Sequence, residues 1–290
     1  MGASTPLFAS RDCSHLDPRV GLYEKRELEA MPEFHDSPYE PTEGQTLRLR
    51  WQETLCFVQL DRPESKNTIN ARLIRDCAQV FRECEERATV VVLEGTKAHF
   101  CMGADLDSLP DVDSPAPDPE PLYRLWLQLA QGSFVSVAHV EGQANAGGVG
   151  FVAACDLVFA SPGASFSLSE LLFGLMPACV LPFLIRKVGF QRAHAMTLMT
   201  APVTAQQGHE WGLVDRCQDP SRALLRRSLS RLSCLNKDAI RRYKRYMATL
   251  DDSLESSMLE ALAANREVFN DRTNRERISR YVQTGQFPWK

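Results

Sequence analysis

The sequence predicts a mixed α/β fold in which a parallel sheet precedes a helical C-terminal region. The run from Val90 to Leu93 is continuously apolar, which is typical of a strand buried on both faces of a parallel sheet. A predicted strand from Thr54 to Leu60 and a predicted helix beginning after Asn70 precede that run, and this order indicates a right-handed βαβ crossover. From about Ser221 onward the pattern is almost entirely helical.

The elements around this crossover follow from side-chain periodicity. Leu47, Leu49 and Trp51 alternate with arginines, which predicts a strand paired with Thr54–Leu60 through a turn at Gln52-Glu53. Asn70 is a good N-cap for the helix that follows. That helix carries one apolar stripe, made of Leu73, Cys77, Phe81 and Cys84.

The later part of the core repeats the pattern with variation. We predict strands at Phe134 to Val140, at Leu157 to Ala160 and, shorter, at Phe166 to Leu168. The small-residue stretch from Ala144 to Ala154 predicts a tightly packed helix, and Glu170 opens the next loop or helix.

Length and composition limit the class of protein. At about 150 residues per domain, 290 residues suggest roughly two domains. Residues 1–44 contain five prolines and no apolar period, which predicts a flexible extension without the pattern of a targeting peptide. With 33 Lys and Arg against 37 Asp and Glu, the net charge is −4, so nucleic-acid and membrane partners are not expected.

The cysteines and histidines predict neither disulfides nor a metal site. Nine cysteines at irregular spacing without a CxxC motif are typical of the reduced core thiols of a cytoplasmic protein. His139, His194 and His209 lack ligand spacing, and Cys155 is expected to be a core thiol. No apolar run approaches the roughly 20 residues that span a bilayer.

Two glycine-containing turns each follow a predicted strand, at Phe100–Leu106 and at Asn145–Gly150. Neither fits the GxGxxG or the Walker pattern. Two backbone N–H groups converging from such turns make an oxyanion hole, which stabilises developing negative charge in acyl chemistry. For a glycine pair taken alone, close helix packing is the alternative interpretation.

Several short motifs occur in one order along the chain. They are Phe100-x-x-Gly103-Ala104-Asp105-Leu106, Val140-x-Gly142-x-Ala144-x-x-Gly147-Gly148, Cys155-Asp156, Phe166-x-x-x-Glu170, Gly174 and Pro177, flanked by Arg62-Pro63-x-x-x-Asn67 and Trp211-Gly212-Leu213-Val214. Together they resemble the crotonase superfamily, that is, the enoyl-CoA hydratase/isomerase family, from about Thr46 onward. The resemblance implies one crotonase-like spiral ββα catalytic core over residues 45–225, a helical trimerisation region over residues 226–290, and a homotrimer or hexamer.

The resemblance also implies the residues of the active site. Its oxyanion hole falls on the backbone N–H groups of Met102 and Gly147, and the neighbouring Gly103, Ala104 and Gly148 are expected to contact the substrate. The second of the family's two catalytic glutamates falls on Glu170, for which the alternative is a capping or solvated glutamate. The first falls on Gly150, which cannot transfer a proton.

Four side chains are candidates for further polar or substrate contacts. Asn145 lies in the oxyanion turn, although capping of the following helix is an alternative. Asp105 belongs to the motif, although bonding to local backbone is equally expected. Tyr123 and Trp126 lie three residues apart on one helix face, where core or pocket wall is the alternative.

A narrower resemblance indicates the reaction. It rests on Ser167–Gly174, Pro177–Arg186, Asn145–Gly148, Leu198–Thr200 and the terminal Thr284–Trp289. These segments are similar to the first of the two crotonase homologues in polyketide β-branching cassettes. The resemblance implies dehydration of 3-hydroxy-3-methylglutaryl on acyl carrier protein to 3-methylglutaconyl-ACP, with no cofactor beyond the carrier's phosphopantetheine. The decarboxylase of such cassettes is expected to offer a Lys/His pair, and Lys97 and His99 precede the first turn without a convincing match.

The segment from Asn236 to Tyr246 predicts a basic helix in an acidic protein. Lys237 and Arg241 are candidates for binding the phosphopantetheine phosphate and an acidic carrier, and a solvated helical face is the alternative. Two other functions stay open: a hydratase or isomerase acting on free acyl-CoA, and a catalytically silent binding subunit.

Overall fold

The computed structural model describes residues 40–41 and 46–287, so the predicted extension at residues 1–44 lies almost wholly outside the described residues. The strands are β1 (Glu40–Pro41), β2 (Leu47–Gln52), β3 (Leu55–Leu60), β4 (Val90–Glu94), β5 (His99–Cys101), β6 (Val135–Val140), β7 (Gln143–Asn145), β8 (Leu157–Ala160), β9 (Ser165–Ser167), β10 (Val203–Thr204) and β11 (Arg216–Cys217). The helices are α1 (Ala71–Arg87), α2 (Glu120–Gln131), α3 (Gly147–Ala154), α4 (Leu181–Val188), α5 (Phe190–Met199), α6 (Ala205–Trp211), α7 (Ser221–Leu232), α8 (Lys237–Leu250), α9 (Ser253–Ser256), α10 (Met258–Asn270) and α11 (Arg272–Thr284).

Within the described residues, the strands form two sheets. The larger has the order β1-β2-β3-β4-β6-β8-β11 and the smaller β10-β9-β7-β5. Strands β3, β4, β6, β8 and β11 are parallel, as are β5, β7 and β9. Along the chain a strand of the larger sheet is followed three times by one of the smaller sheet, as β4-β5, β6-β7 and β8-β9. This repeat is the spiral core that the family resemblance implies.

The crossover predicted from the sequence is confirmed. β2 and β3 form an antiparallel hairpin, and β3 pairs in parallel with β4 after α1. The Asn70 side chain accepts a hydrogen bond from the Leu73 N–H and caps α1, whose predicted apolar stripe is buried. One prediction is wrong in part: Ala144 and Asn145 belong to β7, and the helix begins at Gly147. The reason is that this segment pairs with β5 and β9 before it turns.

A buried polar network joins the larger sheet to the C-terminal helices. Glu94 and His139 face each other in the β4–β6 register. His139 Nδ1 lies 2.7 Å from Glu94 Oε1, and Nε2 lies 3.1 Å from Ser221 Oγ at the start of α7. All three residues are buried, so the network positions α7 against the sheet.

The basic helix α8 is anchored by a buried lysine. Lys244 Nζ donates to Leu129 O at 3.2 Å, to Phe134 O at 3.0 Å and to Asp156 Oδ2 at 2.8 Å. One charge of the predicted basic helix therefore faces the core and holds α8 against α2.

Replacing Lys244 by methionine is expected to lower the free energy of unfolding by about 3 kcal/mol, because the Asp156 carboxylate and two carbonyls lose their common donor. Urea denaturation measures the loss. Arg245→Met, at the exposed neighbouring position, is the matched control and should change stability by less than about 0.5 kcal/mol. Equal effects of the two substitutions would contradict this anchoring role.

Candidate active site

The two glycine turns predicted from the sequence lie directly against each other. Gly103 has φ +87°, and a Cβ placed on it would lie 2.7 Å from Ala146 Cβ, 3.1 Å from Asn145 O and 3.4 Å from Gly147 N. Gly148 approaches even more closely, since its Cβ would lie 2.0 Å from Cys101 O. Only glycine permits this contact between the end of β5 and the start of α3.

The two predicted donors, Met102 and Gly147, lie just after the end of β5 and at the start of α3. Gly147 is the first residue of α3, so its N–H has no acceptor within the helix. Among the described turn and loop hydrogen bonds, none is donated by Met102 or Gly147. Ala146 precedes Gly147 and has φ 51° and ψ −122°, a sparsely populated conformation. These angles set the orientation of the peptide group that contains the Gly147 N–H. The arrangement can hold one carbonyl oxygen between two N–H groups.

Glu170 is the first residue of a 3-10 turn, Glu170–Phe173, that follows β9. Part of the residue reaches the surface, but Oε2 is buried and has no hydrogen-bond partner among the described residues. Burial raises the pKa of Glu170 from its ordinary 4.5 to about 7, and the backbone N–H groups of Glu170 and Ser169 partly oppose this shift. A carboxyl with this pKa exchanges protons readily near neutral pH.

Asn145 connects the turn Asn145–Gly150 to the segment that precedes the turn Glu170–Phe173. Its Nδ2 donates to Ser169 Oγ at 3.0 Å, and its Oδ1 accepts from Ser167 Oγ at 2.8 Å. Asn145 does not cap α3, because Ala146 occupies that position and no side chain caps the helix. Both ends of the amide are used, so Asn145 ties β7 to the two serines Ser167 and Ser169 that lead into Glu170.

The C-terminal helix α11 supports the same turn from the other side. Asn274 Nδ2 donates to Gly174 O at 2.9 Å. The Phe173 ring packs against Tyr281 and Phe287, with centroid distances of 5.0 and 6.1 Å. Residues 288–290 of the terminal motif lie outside the described residues.

An indole ring occupies the position at which the resemblance expects a first glutamate. A Cβ placed on Gly150 would lie 2.4 Å from Cζ2, 2.5 Å from Cη2 and 2.8 Å from Cε2 of Trp126. The same Cζ2 would lie 3.8 Å from a Cβ on Gly147, so Trp126 also borders the oxyanion turn. A carboxylate side chain at position 150 and an indole at position 126 exclude each other in this packing.

Two of the other candidates have structural partners. Asp105 Oδ2 accepts from Arg62 Nη2 at 2.7 Å, so its carboxylate bonds to a side chain instead of the local backbone that the alternative expected. The Asp105 N–H donates to Ile69 O. The buried Tyr123 hydroxyl donates to Leu254 O at 2.6 Å. Tyr123 is therefore a core residue that ties α2 to α9, and its hydroxyl is not available as a second acid or base.

The prediction that Lys237 binds the carrier is also corrected, because its side chain bonds to backbone carbonyls at and near the end of α1. Its Nζ donates to Cys84 O at 3.2 Å, to Ala88 O at 2.6 Å and to Ser133 O at 3.2 Å. These three carbonyls bind the ammonium group that was expected to bind the carrier protein. Arg241 stays exposed and pairs with Asp238. With Arg245 it borders a surface groove of about 400 Å³ beside α2, which contains neither Glu170 nor the oxyanion turn.

Sequence reasoning missed Ile69. Its N–H donates to Gly103 O at 2.7 Å, and its Cδ1 would lie 2.9 Å from a Cβ on Gly147. An isolated isoleucine beside a helix cap carries no pattern that would reveal this contact. In the part of the chain that the structure describes, no group of three or more His, Cys, Asp or Glu side chains is placed to hold a metal ion.

Comparison with known proteins defines the class of this fold and site. A family model described as enoyl-CoA hydratase/isomerase matches residues 50–290. The chain belongs to this family, and the predictions of its fold class and of an enoyl-CoA hydratase-like hydro-lyase are confirmed. No helix within the described ranges is both long and apolar enough to cross a membrane.

Individual relatives narrow the class. The chain is 50% identical over 251 residues to bacillaene synthase dehydratase PksH of Bacillus subtilis (strain 168), covering 85% of this chain and 97% of that protein. A crystal structure of a putative polyketide biosynthesis enoyl-CoA hydratase (pksH) from Bacillus subtilis matches with a TM-score of 0.81 and 49% identity, over 84% of this chain and 99% of that one. The 2,3-dehydroadipyl-CoA hydratase of Escherichia coli (strain K12) is 31% identical over 75% of this chain and 86% of its own length. The chain is thus a PksH-like dehydratase.

Proposed function

We propose that the protein dehydrates 3-hydroxy-3-methylglutaryl-ACP to 3-methylglutaconyl-ACP in polyketide β-branching. The observation that carries this proposal is the pairing of one carboxylate, Glu170, with the two glycine turns, while an indole fills the space at Gly150. The identity of 50% to a bacillaene synthase dehydratase supports the polyketide context.

In the proposed mechanism, the N–H groups of Met102 and Gly147 hold the thioester oxygen. Glu170 carboxylate removes the α-proton, and the C–H electrons move into the enolate, whose charge the two donors stabilise. The enolate then re-forms the carbonyl and expels the β-hydroxyl, which takes the proton from the Glu170 carboxyl and leaves as water. Glu170 is a carboxylate again, so the cycle closes without another acid or base.

The pH dependence of this reaction follows from Glu170. Its carboxylate must start the reaction, and its pKa is raised to about 7. We therefore expect kcat/KM to rise with pH through a midpoint near 7 and to level off above about pH 8. A profile of kcat/KM against pH measures this midpoint, and one that is flat from pH 5 to 8 would contradict the role of Glu170.

The carrier is proposed to meet the exposed cationic face of α8. Arg241, Arg242 and Arg245 are exposed there, whereas Lys237 and Lys244 bond to the core. Rim charges of this kind act mainly on association and salt dependence. The eight described cysteines are free, which supports the proposed cytoplasmic location.

Hydration or isomerisation of free acyl-CoA is the second candidate, favoured by the similarity to an acyl-CoA hydratase. Matched CoA- and ACP-linked substrates distinguish the two. We expect a higher kcat/KM on the ACP substrate, and the double variant Arg241→Glu/Arg245→Glu should raise KM for ACP but not for CoA. An equal or greater rate on CoA would refute the carrier preference. Absence of activity on both would favour a silent binding subunit.

The domain division and assembly are also part of the proposal. Residues 45–225 form the catalytic core, and residues 226–290 form an oligomerisation region that also supports the Glu170 turn through α11. The side chains of Phe190, Leu198, Met199 and Leu259 are 60–78% exposed, which supports a homotrimer or hexamer.

A further inference from the structure

In the part of the chain that the structure describes, the buried indole of Trp126 has an N–H group without an acceptor. Trp126 is 1% exposed, and its Nε1 has no hydrogen-bond partner among residues 40–41 and 46–287. Buried indole N–H groups normally find a partner, because leaving such a donor unpaired carries the full cost of its desolvation. Beside an active site, a group of the substrate is able to supply the acceptor that such a donor needs.

The position of the ring places this donor beside the reacting centre. Nε1 is bonded to Cε2, and a Cβ placed on Gly150 would lie 2.8 Å from that Cε2 atom. The adjacent Cζ2 borders Gly147, whose N–H belongs to the proposed oxyanion hole. The ring that carries Nε1 thus packs against the start of α3, where the hole is proposed to lie.

The ring is also held in a fixed orientation. Phe151 and Phe183 meet it edge-on, with centroid distances of 5.9 and 5.7 Å and interplanar angles of 83° and 76°. A donor held by such packing needs no rearrangement when substrate binds, which is the condition for effective electrostatic stabilisation.

Glu170 provides the complementary group. Its Oε2 is likewise buried and unpartnered within the described part of the chain. Glu170 and Trp126 approach the Asn145–Gly147 turn from different elements, Glu170 through the Asn145–Ser169 hydrogen bond and Trp126 through its contact with Gly147. A hydroxyl group both donates and accepts hydrogen bonds, so it matches one unpaired acceptor and one unpaired donor.

We propose that the Trp126 indole N–H donates a hydrogen bond to the β-hydroxyl oxygen of the substrate and stabilises that oxygen as its bond to carbon breaks. The inference rests on the proposed dehydration. Trp126 is then a catalytic residue that transfers no proton, because an indole N–H acts only as a hydrogen-bond donor. Glu170 delivers the proton, the C–O electrons leave with the oxygen, and water departs.

Two reactions separate this role from structural support of the oxyanion hole. Dehydration of the 3-hydroxy-3-methylglutaryl thioester needs the hole, Glu170 and the donor at the β-oxygen. Exchange of the α-proton of a 3-methylglutaryl thioester in deuterated water needs only the hole and Glu170, because this analogue has no β-hydroxyl.

The test replaces the N–H at position 126 without changing the ring shape. A full-length chain carrying 3-benzothienylalanine at position 126 has sulfur in place of the N–H, and Trp126→Phe is the genetically simpler companion. For the sulfur chain we expect kcat of dehydration to fall about 10²-fold with KM nearly unchanged. We expect α-proton exchange to stay within about twofold of wild type, since the hole and Glu170 are intact. Trp211→Phe, outside the site, should preserve both reactions.

Three results would overturn the inference. One is wild-type dehydration by the sulfur chain, which would show that the N–H is not used. Another is a parallel loss of dehydration and exchange in the folded sulfur chain, which would assign Trp126 to support of the hole. The third is wild-type protein that exchanges the α-proton but releases no water. That result contradicts the proposed function as well, whereas the first two leave it intact.

Discussion

Replacing Glu170 by glutamine is expected to lower kcat for dehydration by about 10³- to 10⁴-fold, because in the proposed mechanism this one carboxyl removes the α-proton and protonates the leaving hydroxyl. Glutamine keeps the size of the side chain and can do neither. Rates on 3-hydroxy-3-methylglutaryl-ACP measure the loss, and α-proton exchange should fall with them. Glu86→Gln, at an exposed position on α1, is the matched control and should leave the rate unchanged.

The same substitution has an opposite effect on stability. The folded-state pKa of Glu170 is raised above its ordinary 4.5 to about 7. The native state therefore binds more protons than the unfolded state between these values, and wild-type stability falls as pH rises through this window. Glu170→Gln should be more stable than wild type at pH 8, with the difference shrinking toward pH 4.5. A variant that is inactive and also less stable at pH 8 would indicate a folding defect.

Replacing Gly148 by alanine is the second large effect that we expect. The added Cβ would lie 2.0 Å from Cys101 O and 2.9 Å from Cys101 C, and both are backbone atoms that move only with β5. The end of β5 and the start of α3 must separate, which moves the N–H groups of Met102 and Gly147 apart. We expect a loss of about 3 kcal/mol in unfolding free energy and a fall in kcat of at least about 10²-fold.

Gly163→Ala is the control for this prediction. A Cβ on Gly163 would have only Ser161 Oγ nearby, at 4.0 Å, so its effect on stability should stay below about 0.5 kcal/mol. Thermal unfolding and dehydration rates of the two variants make the comparison. Normal activity in Gly148→Ala would contradict the placement of the oxyanion hole between these turns.

Local sequence patterns were enough to predict the order of the core elements. Asn70 marks the start of α1, and the apolar run at Val90 marks a strand buried in a parallel sheet. The start of α3 was misplaced because small residues are compatible with a helix or a strand. Pairing of Ala144 with Cys101 and Phe166 decides in favour of the strand, and such pairing is a tertiary effect.

The parts of the candidate site that lie in sequence motifs were predictable, whereas the parts that depend on tertiary packing were not. Glu170 and the two glycine turns stand in recognisable motifs. The sequence indicated that Gly150 lacks a carboxylate, but the contact with Trp126 spans 24 residues and depends on how α2 crosses α3. Lys237 and Lys244 look like solvated charges in a basic helix, and only the tertiary structure brings carbonyl groups to their ammonium ends.

Mass analysis of the carrier protein after incubation with the enzyme tests the proposed reaction most directly. The purified full chain is incubated with 3-hydroxy-3-methylglutaryl-ACP, with Glu170→Gln and Glu86→Gln in parallel. We expect wild type and Glu86→Gln to remove one water from the acyl group, and Glu170→Gln to remove none on the same timescale. An unchanged acyl mass with wild type, further loss of carbon dioxide, or full dehydration by Glu170→Gln would contradict the proposed reaction.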